Sequence, residues 1–410
     1  MTAKEQYLRL HSLTVFAGIR RDPVIAALEE MLIAAAEYAG DRHEDEPGID
    51  WQEIFVESYC AFAAALYERD TDWTRFLHGL VMEDDNACVR QTAAGKPLSG
   101  PLAESLAQEL TILQDLSRLS SEEVTAELDY NGYLPRWETS DCDLAADYSR
   151  HLEELPYKGY GMFAKYHTFR VDDDEIVPIL TPDPQRLSDL VRYEREREPV
   201  IANTKAFLQG LPANNVLLYG DAGTGKSSTV KAIVNEYKDQ GLRLIEIKQS
   251  QFTQIPKVLE HLAGNPLHFI LFIDDLSFDS GSDDFIALKN ILEGGAYDTR
   301  GNVLIYATSN RRHFVKEDAS ARSGSDLFVN DTIQETMSLA ARFGLTVTFQ
   351  KPAKDLYLEI VEALADRTGI EMDREELRTQ AEAFAIRASG RSPRTARQFI
   401  DTVNIRDHIQ

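Results

Sequence analysis

The chain carries two kinds of hydrophobic pattern. Over residues 22–40, DPVIAALEEMLIAAAEYAG, apolar positions recur at helical spacing, and the stretch stops at Gly40, a residue type that ends helices well. DWQEIFVESYCAFAAALYERD (50–70) repeats the pattern. Residues 101–119 read as a helix opened by Pro101, and a shorter helix begins at Ser121 with Val124 and Leu128. Acidic clusters, EDE at 44–46 and EDD at 83–85, lie between these helices, and no repeat of fixed period is present. Beyond residue 210 the pattern changes to short continuous apolar runs: NVLLYG (215–220), LRLIEIK (242–248), HFILFIDDLSF (268–278) and NVLIYATSN (302–310). Such runs suit strands buried on both faces of a parallel sheet. LTVTFQ (345–350) alternates apolar and polar, so it reads as a strand nearer an edge. From Pro352 the pattern is helical again: DLYLEIVEALADRTG, DREELRTQAEAFAIRASG and SPRTARQFIDTVNIRD. Between the two halves, YHTFRVDDDEIVPILTPDPQRL (166–187) holds a run of four acids and three prolines. It reads as a short β-like piece followed by a linker. SDLVRYEREREPVIANTKAFLQG (188–210) reads as a charged helical entry stretch.

Charge sharpens this division. The 410 residues have a formal net charge of −25. Residues 1–200 hold 40 acidic and 19 basic side chains, a balance of −21, whereas residues 201–410 are nearly balanced at −4. That asymmetry is a domain signal, and it argues against non-specific nucleic-acid binding by a positive coat. The length suggests two or three domains. No apolar run is long enough for a membrane helix, and the N-terminus has no signal-peptide pattern. Cys60, Cys88 and Cys142 are too few and too scattered for a disulfide framework or a zinc site. A reduced, cytoplasmic protein without membrane association is expected.

Chemistry enters after the first strand. GDAGTGKSS fits G-x-x-x-x-G-K-[ST] through Gly220, Gly225, Lys226 and Ser227. Glycines let a loop turn its N–H groups around a β-phosphate. Lys226 supplies charge to the β- and γ-phosphates, and Ser227 offers a hydroxyl to Mg2+. The following helix points its positive dipole end at the phosphates. Some fifty residues later a buried strand ends in Asp274 and Asp275, acids suited to a metal and to an attacking water. The run at 302–310 ends in Thr308, Ser309 and Asn310. Asn310 reads equally as a turn cap or as a group beside a γ-phosphate that holds the lytic water. Arg394 falls in the first turn of the last helix, after Ser392 as N-cap and Pro393. A cation there is disfavoured by the helix dipole and wants an anion, although alone it also reads as solvent-facing.

In this order, the parts resemble the AAA+ ATPases over about residues 185–410. NTKAFLQGLPANNVLLYGDAGTGKSS, FIDDLSF, LIYATSNRRH and SLAARFGLTVTF resemble in more detail a bacterial group of predicted AAA+ ATP-binding proteins known mainly as a domain of unknown function. The resemblance implies an α/β AAA+ P-loop core, a parallel five-stranded sheet between helices (211–351). It adds a helical lid (352–410), while the patterns and charge above give a linker and entry helix (166–210) and an acidic, mostly helical N-terminal domain (1–165) that the resemblance does not cover. It implies ATP and Mg2+ as cofactors. Gly220, Asp221, Ala222, Gly223, Thr224, Gly225, Lys226, Ser227 and Ser228 become the phosphate loop, with Ser227 and Asp274 at the metal. Asp275 becomes the catalytic acid, Asn310 the first sensor and Arg394 the second. Arg342 stands where many AAA+ proteins place a finger into the neighbouring subunit's site, with Arg311, Arg312 and Arg322 as rivals. Leu190, Val191 and Tyr193 lie where the linker contacts adenine.

Two departures bear on function. Many AAA+ motors carry Asp-Glu where this chain has Asp274-Asp275, and the shorter carboxylate favours a slow switch over a fast motor. Residues 249–267 hold Phe252 without an aromatic-hydrophobic-glycine pore loop, which weakens a threading unfoldase. The expected function is an ATPase in a homo-oligomeric ring, possibly a hexamer. It would remodel or switch a protein client or basic partner held by the acidic domain. A low-turnover ATP-dependent scaffold is the alternative. So is a helicase-loader-like protein, which the basic run NRRHFVK (310–316) would suit.

Overall fold

The computed structural model describes residues 2–40, 50–276, 283–292, 301–310, 341–388 and 390–409. The chain divides into two compact units: Met1–Lys165 with Gly264–Pro266, and Tyr166–Ala263 with Leu267–Gln410.

The first unit is helical. Its helices are α1 (Ala3–His11), α2 (Pro23–Gly40), α3 (Trp51–Tyr67), α4 (Trp73–Glu83), α5 (Ala87–Ala93), α6 (Gly100–Ser117), α7 (Ser121–Thr125), α8 (Leu144–Lys158) and α9 (Met162–Lys165). Part of the acidity is structural. Asp50, Asp72 and Asp143 cap the N-termini of α3, α4 and α8, where a carboxylate meets orphan N–H groups and the positive dipole end. The core is aromatic: Phe62 packs edge-on against Trp73 and Trp137, with ring centroids 5.4 and 4.9 Å away. Both buried indoles find acceptors, Trp73 at the Leu116 carbonyl (2.7 Å) and Trp137 at that of Leu119 (2.9 Å). Glu109, 4% exposed, accepts the backbone N–H groups of Thr14, Val15 and Phe16 and the Thr14 hydroxyl.

The second unit is a sheet flanked by helices. Its strands are β1 (Thr168–Asp172), β2 (Glu175–Pro178), β3 (Val216–Gly220), β4 (Leu242–Glu246), β5 (His268–Ile273), β6 (Val303–Asn310) and β7 (Leu345–Phe349), in the order β2-β1-β4-β5-β6-β3-β7. The expected five parallel strands are β3 to β7, and β7 is at an edge, as its alternation implies. The sheet is wider than expected by two strands, both from the segment read as a β-like piece and linker. There β1 pairs parallel with β4, and β2 folds back antiparallel on β1. The reason lies in the acidic run. Asp173 (φ 43°) and Asp174 (φ 66°) are both left-handed, the conformation a two-residue hairpin turn demands and aspartate tolerates.

Among the described residues, the α-helices of this unit are α10 (Glu194–Leu208), α11 (Lys226–Tyr237), α12 (Ile255–Leu262), α13 (Asp283–Leu292), α14 (Lys354–Thr368), α15 (Arg374–Arg387) and α16 (Pro393–Ile409). Helices α14 to α16 bury Tyr357, Val361, Leu377, Phe399 and Ile400 as the lid. The chain leaves β3 through α11 for β4, two strands beyond its neighbour β6, and later returns to β3's other side as β7. That reversal opens a crevice past the carboxyl ends of β3, β5 and β6, where open parallel sheets place their ligands. No helix among the described residues is long and apolar enough to cross a membrane.

Candidate functional site

The crevice is a cavity of about 500 Å³, within the range that holds a nucleotide-sized ligand. Its floor is the loop after β3. Gly220 (φ 140°) is required by close approach, because a Cβ there would lie 1.9 Å from the Phe349 carbonyl oxygen. That carbonyl accepts the Asp221 N–H at 3.0 Å, and the Asp221 carboxylate accepts the Lys351 N–H at 3.1 Å. The loop is thereby fastened to the exit of β7. Gly225 (φ 95°) then turns the chain left-handed directly before α11. The first residues of α11 line the cavity, and a helix N-terminus is suited to an anion.

Lys226 is 6% exposed, and its ammonium is fully engaged. It donates to the carbonyls of Gly220 (3.0 Å) and Asp221 (2.8 Å) and to Asn310 Oδ1 (2.8 Å). Burial holds it below the usual lysine range; Asp221, Asp275 and Asp274 oppose that, while Arg394 adds to it. Asn310 in turn donates through Nδ2 to Asp275 Oδ1 at 2.6 Å. Ser227 Oγ donates to Asp274 Oδ1 at 2.6 Å. A hydroxyl and a carboxylate oxygen meeting beside an anion site form a hard-oxygen donor set that fits Mg2+. Asp275 itself is left-handed (φ 55°), which costs a non-glycine residue about 1 kcal/mol.

The lid closes one side. Ser392 caps α16, accepting the Thr395 N–H at 3.1 Å, and the Arg394 N–H donates to the Gly223 carbonyl at 3.2 Å. The tip of α16 thus docks on the phosphate-type loop, with Arg394 lining the cavity. Opposite, Leu190, Val191 and Tyr193 line it, and α14 adds Ile360 and Leu364. Tyr193 stacks on Phe349 (5.8 Å, 19°) and donates its hydroxyl to the Gln350 carbonyl at 2.7 Å. Burial pushes its phenol well up. Arg367 of α14 straps this wall to the lid, donating to the Asp189 carbonyl and carboxylate, each at 2.8 Å.

The structure therefore brings together Tyr193, residues 222–228, Asp274, Asp275, Asn310 and Arg394 around one cavity, with Gly220 and Asp221 holding its floor. It does not bring Arg342 there. Arg342 precedes β7, and β7 starts level with the start of β3 (Leu345 opposite Val216), whereas the loop leaves the other end. The intervening strand spans about 13 Å. Arg311, Arg312 and Arg322 lie outside the described residues. Phe252, the lone aromatic of 249–267, is buried at 1% exposure.

Sequence reasoning missed Arg197 and Arg397, which also line the cavity. Arg197 is buried, burial pulls its guanidinium down, and it donates to the Leu190 carbonyl at 3.3 Å. The run EREREPV reads only as part of a charged helical stretch, yet Arg197, Val200, Thr204 and Phe207 share the helical spacing of the buried stripe. Arg397 stands one turn beyond Arg394 on α16 and so faces the same way.

The chain is 32% identical over 117 residues to the Replication factor C large subunit of Staphylothermus marinus, covering 27% of this chain and 27% of that protein. It is 26% identical over 234 residues to the 26S proteasome regulatory subunit 7 homolog of Schizosaccharomyces pombe, covering 52% and 53%. The chain thus spans about half or less of these curated relatives. Among solved structures, AMPPCP-bound DnaA from Aquifex aeolicus aligns at 20% identity and a TM-score of 0.38, over 55% of this chain and 66% of that one. The sequence relatives are AAA+ ATPases, as the motif order implied. Residues 163–406 match one family throughout, and the chain belongs to it: the family described as "Protein of unknown function (DUF815)".

Proposed function

We propose that this chain binds ATP with Mg2+ in the cavity above β3, β5 and β6 and hydrolyses it slowly, as a switch working between subunits of a homo-oligomeric ring. The observation that carries this reading is the pair of hydrogen-bonded branches at one cavity floor, Lys226–Asn310–Asp275 and Ser227–Asp274. In this reading residues 220–228 cradle the phosphates, and Lys226 and Arg394 balance their charge. Tyr193, with Leu190 and Val191, forms the wall against the base. Ser227 and Asp274 would hold Mg2+, which would supply charge neutralisation to the phosphate oxygens. Asn310 orients a water, and Asp275 takes its proton as the water oxygen bonds to the γ-phosphorus and the bond to the ADP oxygen breaks. Arg342, remote from its own cavity, serves the neighbour's. The acidic N-terminal unit recruits a protein client or basic partner.

A low-turnover scaffold is the second reading, and one observation favours it. Asp275 Oδ1 already accepts from Asn310, so less of this short carboxylate is open to a water. Turnover measurements, with molar mass by light scattering with and without a non-hydrolysable ATP analogue, test both. We expect nucleotide-dependent assembly and ATP turnover that Lys226→Ala and Arg342→Ala both abolish. A monomer under both conditions, or normal turnover by the Arg342 variant, removes the ring-finger part. Assembly without turnover supports the scaffold.

A further inference from the structure

The buried hydroxyl of Thr308 has no part in the roles given above, yet it touches both acids. It donates to Asp274 Oδ1 at 2.5 Å and accepts the Asp275 N–H at 2.9 Å. The directions of both bonds are fixed, since an ionised carboxylate only accepts and a backbone N–H only donates. We infer that Thr308 is a positioning residue that sets the metal-side carboxylate of Asp274 and the left-handed backbone of Asp275 with one hydroxyl. The inference rests on the ATPase reading of the cavity.

The surroundings support this. Thr308 lies on β6, 2% exposed, opposite Leu218 of β3, so its backbone is held by the sheet. A β-branched side chain in that setting has few rotamers, and its hydroxyl is aimed before any ligand arrives. Residues 274–276 leave β5 and have no further ladder of their own. Instead the end of β6 serves as their template: the Leu276 N–H donates to the Thr308 carbonyl (2.7 Å), and Ser309 Oγ donates to the Leu276 carbonyl (2.7 Å). Within this template the Thr308 hydroxyl reaches the carboxylate proposed to face Mg2+. It also reaches the peptide N–H of the residue proposed to accept the proton. Without it, Asp274 keeps the Ser227 hydroxyl but loses a fixed second donor, and the N–H of Asp275 loses its acceptor. Groups that orient a metal-side carboxylate in this way typically matter about 10- to 100-fold for metal affinity or activity.

The test compares Thr308→Val, which keeps the shape and removes the hydroxyl, with Thr308→Ser, which keeps the hydroxyl. Thr308→Ala serves as a second hydroxyl-free variant should valine fold poorly. Binding of a fluorescent non-hydrolysable ATP analogue is titrated with Mg2+ and repeated in EDTA, and steady-state ATP turnover is measured beside it. We expect Thr308→Val to raise the half-saturating Mg2+ concentration and to lower kcat, each by about tenfold or more. Affinity in EDTA should stay within about twofold of wild type, and Thr308→Ser should recover most of both losses. A hydroxyl-free variant with unchanged Mg2+ dependence and kcat overturns the inference. So does one weakened equally with and without Mg2+, or a serine variant as impaired as valine. A wild-type protein that binds no nucleotide overturns the ATPase reading itself, and this inference with it.

Discussion

The two units treat buried polarity in opposite ways. In the helical unit it is consumed internally. The Glu109 carboxylate accepts three consecutive backbone N–H groups, Trp73 and Trp137 donate to helix-end carbonyls, and the buried Asp72 caps α4. In the α/β unit the buried polar groups Lys226, Thr308 and Arg197 converge with Asp274 and Asp275 on a cavity. The lesson concerns how to read a buried charge. Closed on its own backbone it is architecture, because desolvation is offset on the spot. Gathered around an opening with others, it can exchange its partners for a ligand.

The largest expected effect that would break this comparison is at Lys226. Lys226→Ala should lower ATP turnover by at least about a hundredfold while leaving the melting temperature within a few degrees. A variant that loses its fold rather than its activity would make Lys226 architecture as well. Next is Glu109→Leu, which strands three N–H donors and a hydroxyl. It should cost about 3 kcal/mol or more in chemical denaturation of the first unit. If turnover fell with no loss of stability, the division between the units would be wrong. Arg367→Ala removes the strap to Asp189 but no group of the cavity floor. We expect the KM for ATP to rise a few-fold with kcat nearly unchanged, as for lost uniform binding of about 1 kcal/mol.

The smallest expected effect is in acid. Burial pulls His151 of the first unit, and His167 and His268 of the second, below the ordinary histidine value. Each is therefore neutral when folded and takes up a proton more readily when unfolded. Their stability contribution is full above about pH 6.5 and is lost as pH falls through that value towards the folded pKa. Melting temperatures measured from pH 7.5 down to 5 should decline, and His151→Gln should flatten the part of the decline that belongs to the first unit.

Much of this site was legible because its chemistry is contiguous. Gly220 to Ser228 form one loop after one apolar run, and Asp274-Asp275 end another. Phosphate chemistry needs glycine, lysine and a hydroxyl at fixed short spacing, so local sequence is enough to mark it. The lid arginine was legible for a local reason too, the N-cap and proline that place Arg394 in a first helical turn. The β1–β2 hairpin was not, because an acidic run signals solvation before it signals a turn, and only its left-handed backbone and its pairing with β4 distinguish the two. Arg197 was hidden for a similar reason: charge suggested a surface, while its partners on the buried stripe were apolar.

The sequence by itself determined the central strands, the C-terminal helices, their order and the types of group available for chemistry, since periodicity, turn residues and motif spacing are all properties of neighbours along the chain. Only the tertiary structure decided which groups meet. Asn310 reaches Lys226, 84 residues away, Thr308 reaches Asp274, 34 residues away, and Arg394 docks on Gly223. It also decided that Arg342 stands at the far end of the sheet from its own cavity. Those meetings follow from strand order and register, which are set when a whole sheet buries both faces at once.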